Sequence, residues 1–315
     1  MTNQFTNQLS ILAPAKINLF LHVVGQRPDG YHLLQSVFQL IDLTDEVNLT
    51  IRQDSEIIRI NPIPNVLPKD DLVVKAASLL QSTLGVTKGV EISLKKIIPM
   101  GAGLGGGSSD AASTLLGLNQ LWGLALSTQD LMSIGLKLGA DVPFFIQGHN
   151  AFVEGIGELI TPIELPINDY LIVFPGVSIP TKEIFSSQEL TRNHSRITIT
   201  DFAEQYSNLS MFQNDLQVIA EHKHVEVKNA IGWLKTLFPN SHPIMSGSGS
   251  SVFCEIPNTL DMDYCFTQLP HGWKIFNVKS LKQHSAYNLV PSFNLSSKLI
   301  SNSLISMQQG SRQVG

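Results

Sequence analysis

The chain has 315 residues, 43% of them hydrophobic and only 15% charged, with a formal net charge of −5. This composition excludes a disordered chain, and the acidic balance excludes a nucleic-acid binder that rests on a broad basic face. No apolar stretch approaches the ~20 residues of a spanning helix, no basic cluster precedes an apolar run at the N-terminus, and two cysteines, Cys254 and Cys265, build neither a disulfide framework nor a zinc knuckle. At about 150 residues per domain the length predicts two domains, and the expectation is a cytoplasmic protein acting on a small molecule, without nucleic-acid or membrane partners.

In chain order, Ile17, Leu19, Leu21 and Val23 alternate with Asn18, Phe20, His22 and Val24. The two-residue period predicts a strand that puts Lys16 and Asn18 on one face. Pro28-Asp29-Gly30 is a turn, followed by strands at Val37–Leu43, Val47–Arg52 and Ile57–Ile60. Pro62, Pro64 and Pro68 mark a loop, and Leu72, Val73, Ala76, Leu79 and Leu80 form a helical stripe ended by Gly85. Val90–Ile98 reads as a strand, a helix starts near Ser108, and another runs from Ser127 to Leu138 with capping-box spacing at Ser127 and Asp130. Ala151–Ile163 reads as a hairpin. The second half opens on strand Tyr170–Phe174, passes through a polar stretch (Ser186–Thr200), and continues with helices around Asp201 and over Asp215–Phe238. A Gly/Ser loop at Ser246–Ser251 and strands Val252–Ile256 and Lys274–Val278 follow. Strands and helices mix without regular alternation, which favours α+β over a doubly wound parallel sheet. The expected units are 1–165 and 166–290, with a loosely ordered tail at 291–315.

Pro99-Met100-Gly101-Ala102-Gly103-Leu104-Gly105-Gly106-Gly107-Ser108-Ser109 is the most informative stretch. Such glycine density destabilises any regular element, so it needs a backbone reason. One reason is close approach of backbone N–H groups to phosphate oxygens, reinforced by the helix N-terminus that follows. A flexible loop before a Ser-capped helix is the alternative. Gly101-x-Gly103-x-x-Gly106 matches the dinucleotide fingerprint formally, but no acidic residue ends a strand ~20 residues later. The Walker A pattern fails because Gly107 stands where its lysine is required, and the protein-kinase signatures are missing.

A phosphoryl-transfer site still needs a cation and a group that orients the acceptor hydroxyl. Asp141, in Gly139-Ala140-Asp141-Val142-Pro143, is a lone carboxylate among apolar residues; an N-cap ahead of Pro143 is its other reading. Lys16 opens an apolar strand, as a buried functional amine or as an edge-strand charge. Tyr31-His32 could stack on and read a flat base, or form a surface pair. Ser246–Ser251 could line a site or simply turn a hairpin. His222 and His224 stand two apart on a predicted helix and point to different faces, so no metal site is read. Asp110 is expected to complement the helix dipole with its carboxylate turned away from any bound phosphate.

Pro14-Ala15-Lys16-Ile17-Asn18-Leu19, the Pro99–Ser109 loop, Gly139–Pro143 and Gly247-Ser248-Gly249-Ser250-Ser251 resemble, in order, the motifs of the GHMP small-molecule kinases. Arg27-Pro28-Asp29-Gly30-Tyr31-His32 and Pro175-Gly176-Val177-Ser178-Ile179-Pro180-Thr181 narrow the resemblance to the branch whose substrate is a cytidine diphosphate-linked methylerythritol. The likeness covers about residues 11–285. It implies a two-domain GHMP kinase fold, with an N-terminal domain like domain 2 of ribosomal protein S5 and a ferredoxin-like C-terminal domain. It implies ATP, with Mg2+, as phosphoryl donor and the substrate's 2-hydroxyl as acceptor, on the methylerythritol phosphate route to isoprenoid precursors. By position, Asp141 resembles the catalytic carboxylate, Lys16 the residue that polarises the hydroxyl, and Asn18 a substrate contact. Tyr31, His32 and Phe185 resemble the cytosine-recognition residues. Pro99–Ser109 resembles the triphosphate loop, and Lys96 a nucleotide contact. Where the family often has Asp-Asn-Leu, this chain has Asp70-Asp71-Leu72, which puts a carboxylate where the resemblance implies a neutral amide near adenine. The rivals are a homoserine- or mevalonate-type kinase, whose substrates offer no base to Tyr31-His32, and a nucleotide-binding regulator without turnover. The oligomeric state is not legible.

Overall fold

The computed structural model describes residues 7–64, 66–257 and 262–289. The expectation for the 291–315 tail lies outside them. Strand β1 (Gln8–Gln26) pairs antiparallel with β2 (His32–Arg52) along nearly its whole length, across the Pro28-Asp29-Gly30 turn. The first half continues through β3 (Ile57–Arg59), α1 (Leu72–Leu84), β4 (Gly89–Lys95), α2 (Gly106–Leu121), α3 (Thr128–Gly135), α4 (Val142–Gln147), β5 (Ala151–Gly155) and β6 (Leu159–Pro162). The second half carries β7 (Asp169–Phe174), α5 (Thr181–Phe185), α6 (Ile199–Gln205), α7 (Gln217–Lys223), α8 (Val225–Leu237), β8 (Ile244–Met245), β9 (Val252–Glu255), α9 (Met262–Thr267) and β10 (Lys274–Lys279).

The α+β reading holds. A six-stranded sheet runs β3-β4-β2-β5-β6 with β1 on the other edge of β2, and a four-stranded antiparallel sheet runs β10-β7-β9-β8. β2 is long enough to take β4 and β5 one after the other along one edge. The two strands expected at Val37–Leu43 and Val47–Arg52 are parts of this single strand. Thr44-Asp45-Glu46 reads as polar punctuation, but Asp45 is fully buried and the chain passes it with a register shift near Pro14 and Ala15 instead of a turn.

β1 departs from the simple alternating pattern for a related reason. Ala13 to Val23 are buried on both faces, because helices cover one side and the second sheet covers the other. Leu40, Leu49, Leu115, Phe144 and Phe145 belong to the core beneath α1–α4, whereas Leu171, Val173, Ile231 and Leu234 pack under α8 in the second half. A third cluster, including Ile17, Phe20, Tyr170, Phe202 and Phe253, welds the two sheets together. The Tyr170 hydroxyl donates to Gln39 Oε1 across this joint at 2.8 Å. β1 itself reaches over: Leu21 exchanges backbone hydrogen bonds with Gln213 and Asp215. The short elements α4, α5, β8 and α9 span only two to six residues each, too few for a periodic pattern to declare them.

The end of the expected 166–290 unit does not stay with the second sheet. Leu281 donates to Leu40, and Asn150 clamps both chains by accepting from the Leu40 N–H and donating to the Leu281 carbonyl, each at 2.9 Å. His284 is fully buried there: its Nδ1 accepts from the Ala286 N–H at 2.9 Å and its Nε2 meets the Ser113 hydroxyl at 3.2 Å. Burial holds its imidazole at about 4, and burial followed by the neighbouring His194 does the same to His22. Below pH ~6.5 the unfolded chain takes up a proton that the folded chain refuses, so stability is complete above that pH and falls as pH drops toward 4. His284 alone should account for about 3 kcal/mol of that loss. Urea unfolding at a series of pH values checks this: His284→Gln should show a shallower fall than the wild type, and equal falls would assign the dependence elsewhere.

Candidate active site

The glycine loop emerges from the strand-end segment after β4 and runs into α2, lying between the two halves of the molecule. Its carbonyls are turned into protein. Leu104 O accepts from the Lys16 N–H at 3.0 Å, Gly103 O from the Ser246 hydroxyl at 2.9 Å, Ala102 O from the Ser251 N–H at 3.1 Å and Gly101 O from the Ile179 N–H at 3.2 Å. The N–H groups of Gly103, Leu104 and Gly105 find no acceptor among the described residues, and those of Gly106 and Gly107 are the open first-turn donors of α2. The result is a strip of N–H groups along a cavity of about 1140 Å³. That volume exceeds the usual ~300–1,000 Å³ of a single-ligand pocket and leaves room for two ligands side by side. Glycine is required at Gly103, where φ is +75° and a Cβ would stand 2.0 Å from the Ser246 carbonyl oxygen.

The sequence-predicted residues converge on this cavity. Lys16, Asn18, Tyr31, His32, Lys96, Asp141 and Phe185 line it together with the loop from Pro99 to Ser108. Ser109 does not: one helical step from Ser108, it is fully buried, and its hydroxyl has no partner among the described residues. Of the two serines, Ser108 is the one on the cavity wall.

Lys16 is 3% exposed, so the edge-strand reading fails. Its Nζ donates to Asn18 Oδ1 at 2.5 Å, stands 3.8 Å from Asp141 Oδ2 and lies 4.5 Å from the centre of the Phe38 ring. Burial lowers the Lys16 pKa, and the Asp141 carboxylate resists that shift. Asp141 occupies the N-cap position of α4, but its side chain makes no capping hydrogen bond and is one-third exposed. Its carboxylate is therefore not consumed by the helix and faces Lys16. Asn18 is held by Nδ2 donation to the Ser36 hydroxyl at 2.9 Å. The Ser246–Ser251 segment is both things at once: it joins β8 to β9 as a hairpin, and Gly247, Ser248 and Gly249 line the cavity.

Lys96 is not a free ammonium. It is clamped between the buried carboxylates of Asp45 and Asp110, the latter at 2.7 Å, and Asp45 also accepts from the N–H groups of Ile97 and Ile98. Burial works to raise the Asp110 carboxyl, and the Lys96 ammonium pulls against it. Burial also works to lower Lys96, but the two carboxylates outweigh it and raise the amine. Asp110 thus faces Lys96 instead of simply complementing the helix dipole. The departure at Asp71 has a local explanation: its Oδ1 caps α1 by accepting from the Val73 N–H at 3.0 Å, and its Oδ2 pairs with the buried Arg59 guanidinium. Its charge is compensated within the protein. Asp45, Ser36 and Arg192, which touches His32, escaped the sequence reading. Asp45 stands in the polar Thr44-Asp45-Glu46 stretch and Arg192 inside a longer polar one, and neither left a signal.

Comparison with known proteins places the chain in a family. A family model described as the GHMP kinases N terminal domain matches residues 71–149. The chain is 55% identical over 295 residues to the 4-diphosphocytidyl-2-C-methyl-D-erythritol kinase of Polynucleobacter asymbioticus, covering 93% of this chain and 100% of that protein. A crystal structure of 4-(cytidine 5'-diphospho)-2C-methyl-D-erythritol kinase superposes with a TM-score of 0.73 at 32% identity, covering 86% of this chain and 99% of that one. A homoserine kinase from Cytophaga hutchinsonii, at 18% identity and a TM-score of 0.60 over 91% of this chain and 98% of its own, shares the fold. Replacing Gly103 by alanine should weaken binding of a fluorescent nucleoside triphosphate about tenfold or more, whereas Gly232→Ala, where a Cβ meets open space, should leave it unchanged. Equal affinities would remove the loop from phosphate binding.

Proposed function

Because the chain belongs to the 4-diphosphocytidyl-2-C-methyl-D-erythritol kinases, a branch of the GHMP kinases, we propose that Lys16 and Asp141 carry out its phosphoryl transfer at the mouth of the glycine loop. The reaction is ATP-dependent phosphorylation of the 2-hydroxyl of 4-diphosphocytidyl-2-C-methyl-D-erythritol, in isoprenoid precursor biosynthesis. The observation that carries the assignment of roles is the buried Lys16 ammonium 3.8 Å from an uncapped Asp141 carboxylate, both facing the cavity that the loop lines.

The loop N–H groups and the start of α2 hold the triphosphate. Asp141 accepts a hydrogen bond from the 2-hydroxyl and aims its oxygen at the γ-phosphorus. As that O–P bond forms and the bond to the departing ADP oxygen breaks, the hydroxyl proton passes to the Asp141 carboxylate. In a loose transition state alignment and charge compensation dominate, so orientation precedes proton transfer. Lys16 lowers the effective pKa of the hydroxyl, and the incoming phosphate charge favours its ammonium in turn. Magnesium bound with the nucleotide would spread the phosphate charge; the Ser108 hydroxyl on the cavity wall and the Oδ1 of Asp110, without a partner among the described residues, suit it as protein oxygens. On the substrate side, Tyr31 and Phe185 sandwich the cytosine and His32 reads its edge. His32 and Phe185 already stand 5.0 Å apart between ring centres, and Tyr31 is 60% exposed.

Asp141→Asn should reduce turnover ~100-fold or more at saturating substrates, as read by ADP release with the cytidyl substrate. Near-normal turnover would take Asp141 out of the mechanism, and release with homoserine or mevalonate instead would overturn the substrate. Tyr31→Ala and His32→Ala should chiefly raise KM for the cytidyl substrate and spare KM for ATP; the reverse pattern would move both residues to the nucleotide side.

A further inference from the structure

His32 does not face the cavity unassisted. Its Nε2 receives a hydrogen bond from Arg192 Nε at 3.0 Å. Arg192 is itself immobilised, donating through its two terminal nitrogens to the carbonyls of Leu190 at 2.9 Å, Ser187 at 2.7 Å and Phe185 at 3.4 Å. A guanidinium has five donors and no acceptor, and it does not lose its proton in proteins. The nitrogen it faces must therefore carry a lone pair, and in a neutral imidazole the proton then resides on the other nitrogen. Nδ1 of His32 has no hydrogen-bond partner among the described residues, and both His32 and Arg192 line the cavity.

We propose that Arg192 is a positioning residue that locks His32 in the neutral Nδ1–H tautomer, presenting a fixed donor that accepts cytosine and rejects uracil. This rests on the reading of His32 as the residue that meets the pyrimidine edge. At ring position 3 cytosine offers an acceptor nitrogen, whereas uracil offers an N–H. A fixed Nδ1–H satisfies the first and opposes the second, and a donor facing a donor discriminates more strongly than a missing contact does. Burial, followed by the Arg192 charge, lowers the His32 pKa, which removes the doubly protonated form that would blur the distinction. The same guanidinium ties His32 to the Phe185 carbonyl, so the base-edge reader and the stacking ring are set by one side chain.

The first measurement is a long-range proton–nitrogen NMR spectrum of the wild type near neutral pH, with the His32 signal among nine histidines assigned through His32→Asn. A protonated Nδ1 with an unprotonated Nε2 is expected, and a protonated Nε2 would overturn the proposal without reference to any substrate. Arg192→Leu should mix the tautomers, raise the His32 pKa, and raise KM for the cytidyl substrate about tenfold while kcat changes less. Selectivity against the uridine diphosphate-linked analogue should fall by a similar factor. Arg192→Gln, which keeps a donor but no charge, should retain part of the selectivity and serves where the leucine variant fails to fold. Unchanged selectivity in folded variants would also overturn the proposal. A wild type that phosphorylates neither substrate would defeat the reaction reading instead, and the tautomer spectrum would still decide the role of Arg192.

Discussion

The site depends on the direction in which the peptide units of the glycine loop face. Four successive carbonyls, from Gly101 to Leu104, are hydrogen-bonded by partners on β1, the Ser246–Ser251 hairpin and the segment ahead of α5. Once the oxygens are committed inward, the N–H groups have only the cavity to face, and the start of α2 adds its dipole in the same direction. Because these partners come from both halves of the chain, the cradle forms only when the two sheets are docked. The aromatic cluster around Phe20, Phe202 and Phe212 makes that docking a packed core and not a hinge.

A second constraint is the cost of keeping charge inside. Lys16, Arg59, Asp45, Asp71 and Asp110 are all nearly excluded from water, and each is answered by an opposite charge or by backbone N–H groups. Lone ions of this kind would neutralise or destabilise the fold. The pairs nevertheless differ in purpose. Arg59–Asp71 closes on itself around a helix cap, and Lys96 is saturated by two carboxylates. Lys16 and Asp141 stand 3.8 Å apart on the cavity wall, and the Asp141 carboxylate, one-third exposed, stays open to the cavity.

Much of this was legible in the sequence, because it is written in local chemistry. Glycine density, a lysine ahead of an apolar strand and a carboxylate close to Pro143 mark Lys16, Asp141 and the loop by residue type and order alone. The α+β class follows from irregular alternation of elements. What escaped depends on contacts between distant segments. Thr44-Asp45-Glu46 reads as a break, because nothing nearby reveals that Lys96 lies opposite Asp45. Ser109 reads as Ser108 does, since only the helical rotation decides which serine faces the cavity. Arg192 stands in a stretch without periodicity, and its importance comes from His32, 160 residues away along the chain. That the Asp141 carboxylate is not spent as a helix cap is visible only in one absent hydrogen bond, which no spacing rule encodes.

The return of residues 280–289 to the first sheet has a consequence for how such a protein can be reshaped by recombination. A crossover near residue 165 looks natural, because it separates one sheet from the other. It would nevertheless give the first sheet a foreign closing segment, since Leu281 meets Leu40, Asn150 spans both, and His284 fills a slot beside Ser113. Inheritance in this architecture is therefore not modular at that boundary. A chimera between relatives would have to carry the last strap together with the first half, as three exchanged pieces and not two.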